Sequence, residues 1–466
     1  MPAFLLVNRK GMVNDMADTI AAIATGQVIS AIGIVRISGG RALEIADAVF
    51  HPASGRPMSS YPDRKLVYGS LADSDGKVLD VCLCTVSRGP GSYTGEDTAE
   101  LQCHGSPAVL RQALEALFAA GARQAGPGEF TKRAFLNGRM DLTRAEAVAD
   151  LISAETAEAA KNAAGQLGGA IQRRADAVYS SLADMCAHYH AVLDYPDEDI
   201  EDFRLENYRE ELGRAISGLG GLLATFSRGR VMREGVPAAI VGVPNAGKSS
   251  LMNALLGYDR AIVTDIPGTT RDTIEEKVVV GGVTLRLADT AGVREGGDAA
   301  EKLGVERSRR AMETAELVIA VADGSRLLTD ADRSILAAAA KAPRCIAVLT
   351  KSDLGAAAAL PSDMPAAFVS SVTGEGLDEL QKLIADMFPL PCVPAGEILT
   401  NARQADAVER ALSSLRAAKE AMDTGFTPDA VLTEIEEAMD ALGALTGRSV
   451  GADVTDRIFS RFCVGK

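Results

Sequence analysis

The sequence predicts a multidomain α/β protein in which a block of alternating strands and helices interrupts an α-helical domain, with an α+β domain preceding both. Three observations carry this. The chain has 466 residues, too many for one hydrophobic core, so two to four domains are expected. Strand-like and helix-like segments alternate from Val236 to about Pro389, the pattern of a parallel sheet with crossover helices. Helical periodicity flanks that block on both sides.

Residues 1–137 mix both patterns. Ala31–Ser38 (AIGIVRIS) and Lys77–Val86 (KVLDVCLCTV) are β-branched and bounded by Gly, Ser and Asp, which predicts strands. Pro107–Ala120 predicts an amphipathic helix closed by Gly121. Residues 138–234 begin the helical domain, with Leu142, Ala145, Ala149 and Ile152 at helical spacing as far as about Asp194. The acidic stretch Asp194–Phe203, broken by Pro196, reads as a solvated turn, and helix resumes from about Leu205 to Arg233. Residues 235–389 hold the alternating block, with strands expected at Ala238–Val243, Thr284–Asp289, Leu317–Ala322, Cys345–Thr350 and Ala366–Ser370. Pro389, Pro391 and Pro394 mark the exit, and residues 390–466 return to helix at Ala402–Met422 and Ala430–Leu445.

Composition narrows the classes. Hydrophobic residues make up 47% and charged residues 24%, ordinary for a globular protein, and no apolar run reaches membrane-spanning length. Met1–Val13 lacks a basic segment with a cleavage site, so no signal peptide is expected; Met12 and Met16 are alternative starts. Seven scattered cysteines without a CxxC pair argue for a reducing, cytoplasmic compartment and against structural zinc. Cys82 and Cys84 share one side of a strand and are expected as buried thiols. A net charge of −15 argues against non-specific coating of nucleic acid, though not against a local basic groove.

Gly242–Ser249 (GVPNAGKS) fits the phosphate-binding pattern G-x-x-x-x-G-K-[ST], between a strand and a helix. Asn245, Ala246 and Gly247 lie in the loop that wraps phosphate, Lys248 neutralises it, and Ser249 offers a Mg²⁺ ligand. Asp289-Thr290-Ala291-Gly292 ends a later strand, where Asp289 can hold the water shell of Mg²⁺ and Gly292 can sense the γ-phosphate. Thr270, in the loop between, can ligate Mg²⁺ while the γ-phosphate is present. Thr350-Lys351-Ser352-Asp353 follows another strand: the Asp353 carboxylate accepts two hydrogen bonds from a guanine edge, which adenine cannot donate, and the Lys351 stem covers the ring. Thr350 stands where Asn is usual. Ser370 and Ser371 supply the last base-contacting loop. The five elements in this order predict a P-loop GTPase domain. Val293, at the position where many GTPases carry a water-orienting Gln, cannot orient water. Asn245 can instead help coordinate a monovalent cation, with carbonyls of Thr264, Ile266 and Thr269; the alternative, that Asn245 only stabilises the loop, stays open on chemistry alone.

Further blocks resemble the bacterial tRNA-modification GTPase family MnmE (TrmE) over almost the whole chain. They are Asp18–Ala21, Gly33–Gly39, Tyr93–Asp97, Gly126–Phe135 (GPGEFTKRAF) continuing to Leu142, Pro244–Ser250, Thr264–Asp272 (TDIPGTTRD) and Cys463-Val464-Gly465-Lys466. The resemblance implies a folate-binding-like N-terminal domain that also dimerises, contacting a tetrahydrofolate one-carbon derivative (5-formyl- or methylene-) through Arg36, Glu100, Arg139 and Lys466. It implies K⁺-dependent GTP hydrolysis, with Asn245, Thr264, Ile266 and Thr269 as K⁺ ligands, Ser249 and Thr270 as Mg²⁺ ligands, and Glu301 helping to orient the attacking water. Ser250, Asp265, Pro267, Gly268 and Thr269 join the GTP contacts, and Cys463 matches a cysteine needed for modification. A homodimer is implied to work with the flavoprotein MnmG (GidA), adding a carboxymethylaminomethyl or aminomethyl group at C5 of the wobble uridine of certain tRNAs. The chain departs from the family at Thr350, in its extension ahead of Asp18, and at Gly26–Ser30, which lacks a Gly-rich run. The competing reading is an Era-like GTPase switch in ribosome assembly, which needs an RNA-binding appendage; the segment after Pro394 is helical and acidic. A folate-dependent methyltransferase with a regulatory G domain is a third.

Overall fold

A computed structural model describes residues 18–26, 28–195, 203–258, 276–287, 311–355, 357–358, 360, 364–389, 393–460 and 462–465. The chain forms two compact units: Met1–Ala149 with Leu167–Ala215 and Arg410–Lys466, and Asp150–Gln166 with Ile216–Glu409.

The first unit is built on a seven-stranded sheet of β1 (Ile20–Ile23), β2 (Ser30–Ser38), β3 (Phe50–Pro52), β4 (Val67–Ala72), β5 (Val78–Ser87), β6 (Thr98–Gly105) and β7 (Arg123–Gln124). Its order is β3-β4-β5-β6-β2-β1-β7, antiparallel except where β1 meets β7. Alternation sorts side chains between the faces. Val35, Ile37, Cys82, Cys84, Leu101 and Cys103 point inward and are buried with Ile45 and Val49 of the helix Ala42–Val49 and Leu110, Ala113 and Leu117 of the helix Pro107–Ala119. Gly33 must lack a side chain, since a Cβ there would lie 2.5 Å from Leu110. On the other face Ile32, Tyr68 and Val81 are exposed. Helices Ala170–Asp194 and Pro428–Thr446 belong to the same unit; just beyond the second, Arg448 donates to Asp176 at 2.6 Å and lies over the Tyr179 ring.

The second unit holds a six-stranded sheet of β8 (Val236–Val241), β9 (Glu276–Val280), β10 (Val283–Leu287), β11 (Leu317–Asp323), β12 (Cys345–Thr350) and β13 (Ala366–Val369). The order is β13-β12-β11-β8-β10-β9, parallel except for the β9–β10 hairpin. Every residue of β11 is buried, as expected for a strand covered on both faces. Apolar clusters lie on both sides of the sheet, one including Leu251 and Leu380, the other Leu336 and Ala339. The segment leaving this block is tied to helical residues that precede it. Asn162 and Gln166 amides donate to the Ile398 carbonyl at 3.1 and 2.6 Å, and the Leu399 N–H donates to the Thr225 hydroxyl at 3.0 Å. The helical chain before the block is thus joined to the chain after it, as an insertion requires.

The helical stretch expected from Leu142 to Asp194 is three helices, Leu142–Ile152, Ala157–Leu167 and Ala170–Asp194; Gly168 and Gly169 make the second break, where Gly169 takes a left-handed φ of 84°. Strands β1, β3, β4, β6, β7 and β9 and the helix Ala452–Phe459 were not anticipated: they are short or lack a clean period. Most of the acidic stretch, residues 196–202, lies outside the described residues. Among the described residues no helix is long and apolar enough to cross a membrane.

Candidate functional site

Strands β8, β11, β12 and β13 run parallel, so the loops at their C-terminal ends share one edge of the sheet, where ligands bind in open α/β folds. The register sets Thr350 opposite both Asp323 and Val369, bringing the ends of three strands level.

The phosphate loop leaves β8 and enters the helix Lys248–Tyr258. Asn245 and Gly247 turn it with φ of 62° and 91°. Lys248 Nζ folds back and donates to the carbonyls of Gly242 at 2.9 Å and Val243 at 2.8 Å. An ammonium has three protons, so one remains for an anion. Burial lowers the Lys248 pKa, a cost that an approaching phosphate offsets. Ser249 and Ser250 are exposed in the first helical turn.

Thr350 is buried, and its hydroxyl lies 2.6 Å from the Ala246 carbonyl and 3.2 Å from that of Ala322. It ties the base-recognition segment to the phosphate loop. Gly247 completes this fit, since a Cβ there would lie 3.0 Å from the same hydroxyl. Lys351 takes a left-handed φ of 62°, and its Nζ donates to Asp323 Oδ2 at 2.6 Å. Burial pushes the Asp323 pKa up, but hydrogen bonds from Lys351 and Ser325 outweigh it and bring it down to about 2. Asp353 is exposed, and its carboxylate has no partner among the described residues. Ser370 Oγ accepts from the N–H groups of Val372 and Thr373. The buried hydroxyls of Ser352 and Ser371, on either side of this base end, have no hydrogen-bond partner among the described residues. Unsatisfied buried hydroxyls of this kind fit a polar ligand.

Sequence reasoning missed Asp323 and Ser352. The signal for Asp323 was an apolar run ending in an acid, which has no fixed spacing to Lys351. Thr264, Asp265, Ile266, Pro267, Gly268, Thr269, Thr270, Asp289, Thr290, Ala291, Gly292, Val293 and Glu301 lie outside the described residues. Of the expected metal ligands, only Ser249 (Mg²⁺) and Asn245 (K⁺) are described. The first is an exposed hydroxyl beside Lys248, the second an exposed amide in the loop, and both fit cations held against phosphate.

In the first unit, β2 and β6 set Arg36 opposite Glu100, and Arg36 Nε donates to Glu100 Oε1 at 2.8 Å. The guanidinium lies 5.6 Å from the Tyr93 ring centroid and 5.7 Å from that of Phe130. Its terminal nitrogens make no hydrogen bond to a described residue. Arg139 is exposed just beyond the helix Glu129–Leu136, and its Cγ packs against Gly95. The loop Tyr93–Gly95 therefore touches Arg36 at one end and Arg139 at the other. The partly exposed Tyr93 ring, free guanidinium donors and a carboxylate fit a flat, polar, partly anionic ligand such as a folate.

The C-terminal segment reaches the same sheet. Val464 pairs with Pro127, the Gly128 N–H donates to the Cys463 carbonyl at 3.2 Å, and Gly465 lies against the Ile23 carbonyl. Cys463 is a free, exposed thiol; Lys466 lies outside the described residues. Behind this edge Arg133, 1% exposed, donates to Asp18, Glu96 and Glu129. Burial raises the Glu129 pKa, but bonds from Arg123, the Gly126 N–H and Arg133 bring it to about 2.

Residues 142–463 match a family model described as the MnmE helical domain, and residues 19–139 one described as the GTP-binding protein TrmE N-terminus. The chain is 42% identical to the tRNA modification GTPase MnmE of Heliobacterium modesticaldum over 466 residues, covering 97% of this chain and 100% of that protein. It is 44% identical to the protein of the same name from a Roseiflexus species over 464 residues, covering 96% and 99%. Among solved structures, the cytosolic domain of the T. maritima FeoB iron transporter is 22% identical and covers 48% of this chain and 97% of that one, at a TM-score of 0.24, too low to bear on the argument.

Proposed function

The chain belongs to the MnmE family of tRNA modification GTPases, and from that membership we propose that its GTP hydrolysis drives modification at C5 of the wobble uridine of certain tRNAs. The observation that carries the nucleotide half is the meeting of Lys248, Thr350 and Asp353 at one sheet edge, with donors left over for phosphate and an acceptor left over for a base.

A one-carbon folate docks by the Tyr93–Gly95 loop, between Arg36, Glu100 and Arg139, with Lys466 as a further contact and Cys463 on the same C-terminal segment. Two copies join through their N-terminal domains; support comes from the outer face of the first sheet, where Ile32, Tyr68 and Val81 are exposed. MnmG supplies flavin chemistry, and the product is a carboxymethylaminomethyl or aminomethyl uridine. In the nucleotide site Ser249 and Thr270 would hold Mg²⁺, which would supply positive charge to the phosphates. Asn245, Thr264, Ile266 and Thr269 would hold K⁺, which would supply charge to offset that developing between the β- and γ-phosphates, and Glu301 would orient the attacking water.

Deleting the gene and analysing tRNA nucleosides by mass spectrometry tests the biological reading: the wobble-uridine modification should disappear, and its persistence in a host with no second copy overturns the reading. A GTPase assay with K⁺ replaced by Na⁺ should lose most of its rate; equal rates remove Asn245 from the mechanism.

A further inference from the structure

Three residues that the proposed function leaves unused meet at the end of the helix-covered face of the N-terminal sheet. The β5–β6 register, Leu83 opposite Gln102, sets Cys82 beside Cys103. Asp80 lies two residues before Cys82 and so shares its face. Their ligand-capable atoms, two sulfurs and one carboxylate oxygen, all lie within 4.8 Å of one another. Both cysteines are buried and neither is in a disulfide. No spacing rule in the sequence joins them, because the site exists only through strand pairing.

The carboxylate is held in place. Asp80 Oδ2 accepts the backbone N–H of His104 at 2.8 Å, and Oδ1 lies 2.8 Å from His104 Nδ1. The Asp80 side chain is almost buried while His104 is largely exposed. The cluster is therefore closed by the core on one side and reached from solvent past an imidazole on the other. On the core side Leu110 packs over Gly33, the β2 neighbour of Cys103, and Phe50 approaches Gly69, the β4 neighbour of Cys82.

A pair of buried thiols alone is ordinarily inert packing. Here a nearly buried carboxylate, oriented by a histidine, stands beside the pair, and a negative group next to two sulfurs is offset by a cation. The carboxylate–histidine contact is also what commonly orients a metal-bound ligand. We propose that Asp80, Cys82 and Cys103 form a zinc(II) site, with His104 as the positioning residue and a fourth place open toward solvent. Tetrahedral zinc with Zn–S bonds of about 2.3 Å needs sulfurs about 3.8 Å apart, within the reach of this cluster. Binding exchanges two S–H protons, released to solvent, for two Zn–S bonds, with no change of oxidation state. The ion then staples β5 to β6 where Asp80 has taken the His104 N–H and the backbone ladder stops.

The test is titration of the metal-stripped full-length protein with Co²⁺ in saturating Mg²⁺. The expected result is one Co²⁺ per chain with a thiolate-to-cobalt charge-transfer band, displaced by Zn²⁺, kept in Cys463→Ser and lost in Cys103→Ser. Cobalt in the nucleotide site has oxygen ligands and gives no such band. Absence of the band in folded wild-type protein overturns the proposal; so does a band lost in Cys463→Ser and kept in Cys103→Ser. Should Cys103→Ser fail to fold, His104→Ala leaves both thiols intact and should weaken Co²⁺ about ten-fold; unchanged affinity overturns the proposal.

Discussion

The nucleotide edge of the second sheet and the Arg36 edge of the first are built by opposite means. At the nucleotide edge each contributor sits in a short contiguous run at the end of a parallel strand, and polar groups are left unsatisfied: the third proton of Lys248, the Asp353 carboxylate, the Ser352 and Ser371 hydroxyls. At the first sheet the contributors come from remote strands, and most charges are already closed on one another, as with Arg133 and its three carboxylates. One edge is prepared for a ligand that brings its own charge; the other is a rigid frame with only the ends of a few side chains left to offer. Contiguity makes a site readable in sequence, and prior satisfaction makes it stable without its ligand.

The contrast breaks first at Arg133. Arg133→Met leaves Asp18, Glu96 and Glu129 without their buried partner and should destabilise the first unit by about 3–5 kcal/mol. Thermal denaturation should show this while calorimetric affinity for GDP stays unchanged; a matching loss of nucleotide affinity would mean the two regions are not independent. Asp353→Ala should do the reverse. It removes a charged acceptor for the base, weakening GDP by about 1.5–3 kcal/mol in calorimetry, with the melting temperature unmoved.

Thr350→Val sharpens the comparison within the nucleotide edge. Losing the hydroxyl orphans the Ala246 carbonyl, and GTP affinity should fall by about 1 kcal/mol. Unchanged affinity would show that the tie to the phosphate loop is incidental. The smallest effect is in pH. The native Asp323 pKa, about 2, lies below the unfolded value of about 4, so its contribution to stability is full above pH 4 and lost as pH falls toward 2. Denaturation of wild type and Asp323→Asn should differ at pH 5 and converge near pH 2. Lys351 is partly exposed, so solvent screens the pair and the difference is modest.

The same contrast explains what could be read in advance. The strands β2, β5, β8 and β10 to β13 were legible within a few residues because apolar period and Gly or Asp boundaries agree there. Thr350 was noticed as a departure, but its bond to Ala246 was not, since a hydroxyl reaching 104 residues back depends on packing. Arg36 and Glu100 entered by family likeness; their pairing, across 64 residues, is a fact of register. The Asp80–Cys82–Cys103 cluster shows the limit: scattered cysteines argued against a metal, and spacing along the chain says nothing about neighbours across a sheet.

The pairing of Val464 with Pro127 has a consequence for biosynthesis. During translation, Ile23, Pro127 and Gly128 emerge from the ribosome long before the segment that seals them. The edge of the first sheet must wait, exposed, through synthesis of the entire GTPase block. A ribosome paused just after that block would hold a nascent chain whose nucleotide domain can already fold but whose N-terminal seam is still open, and a chaperone would find its opportunity there.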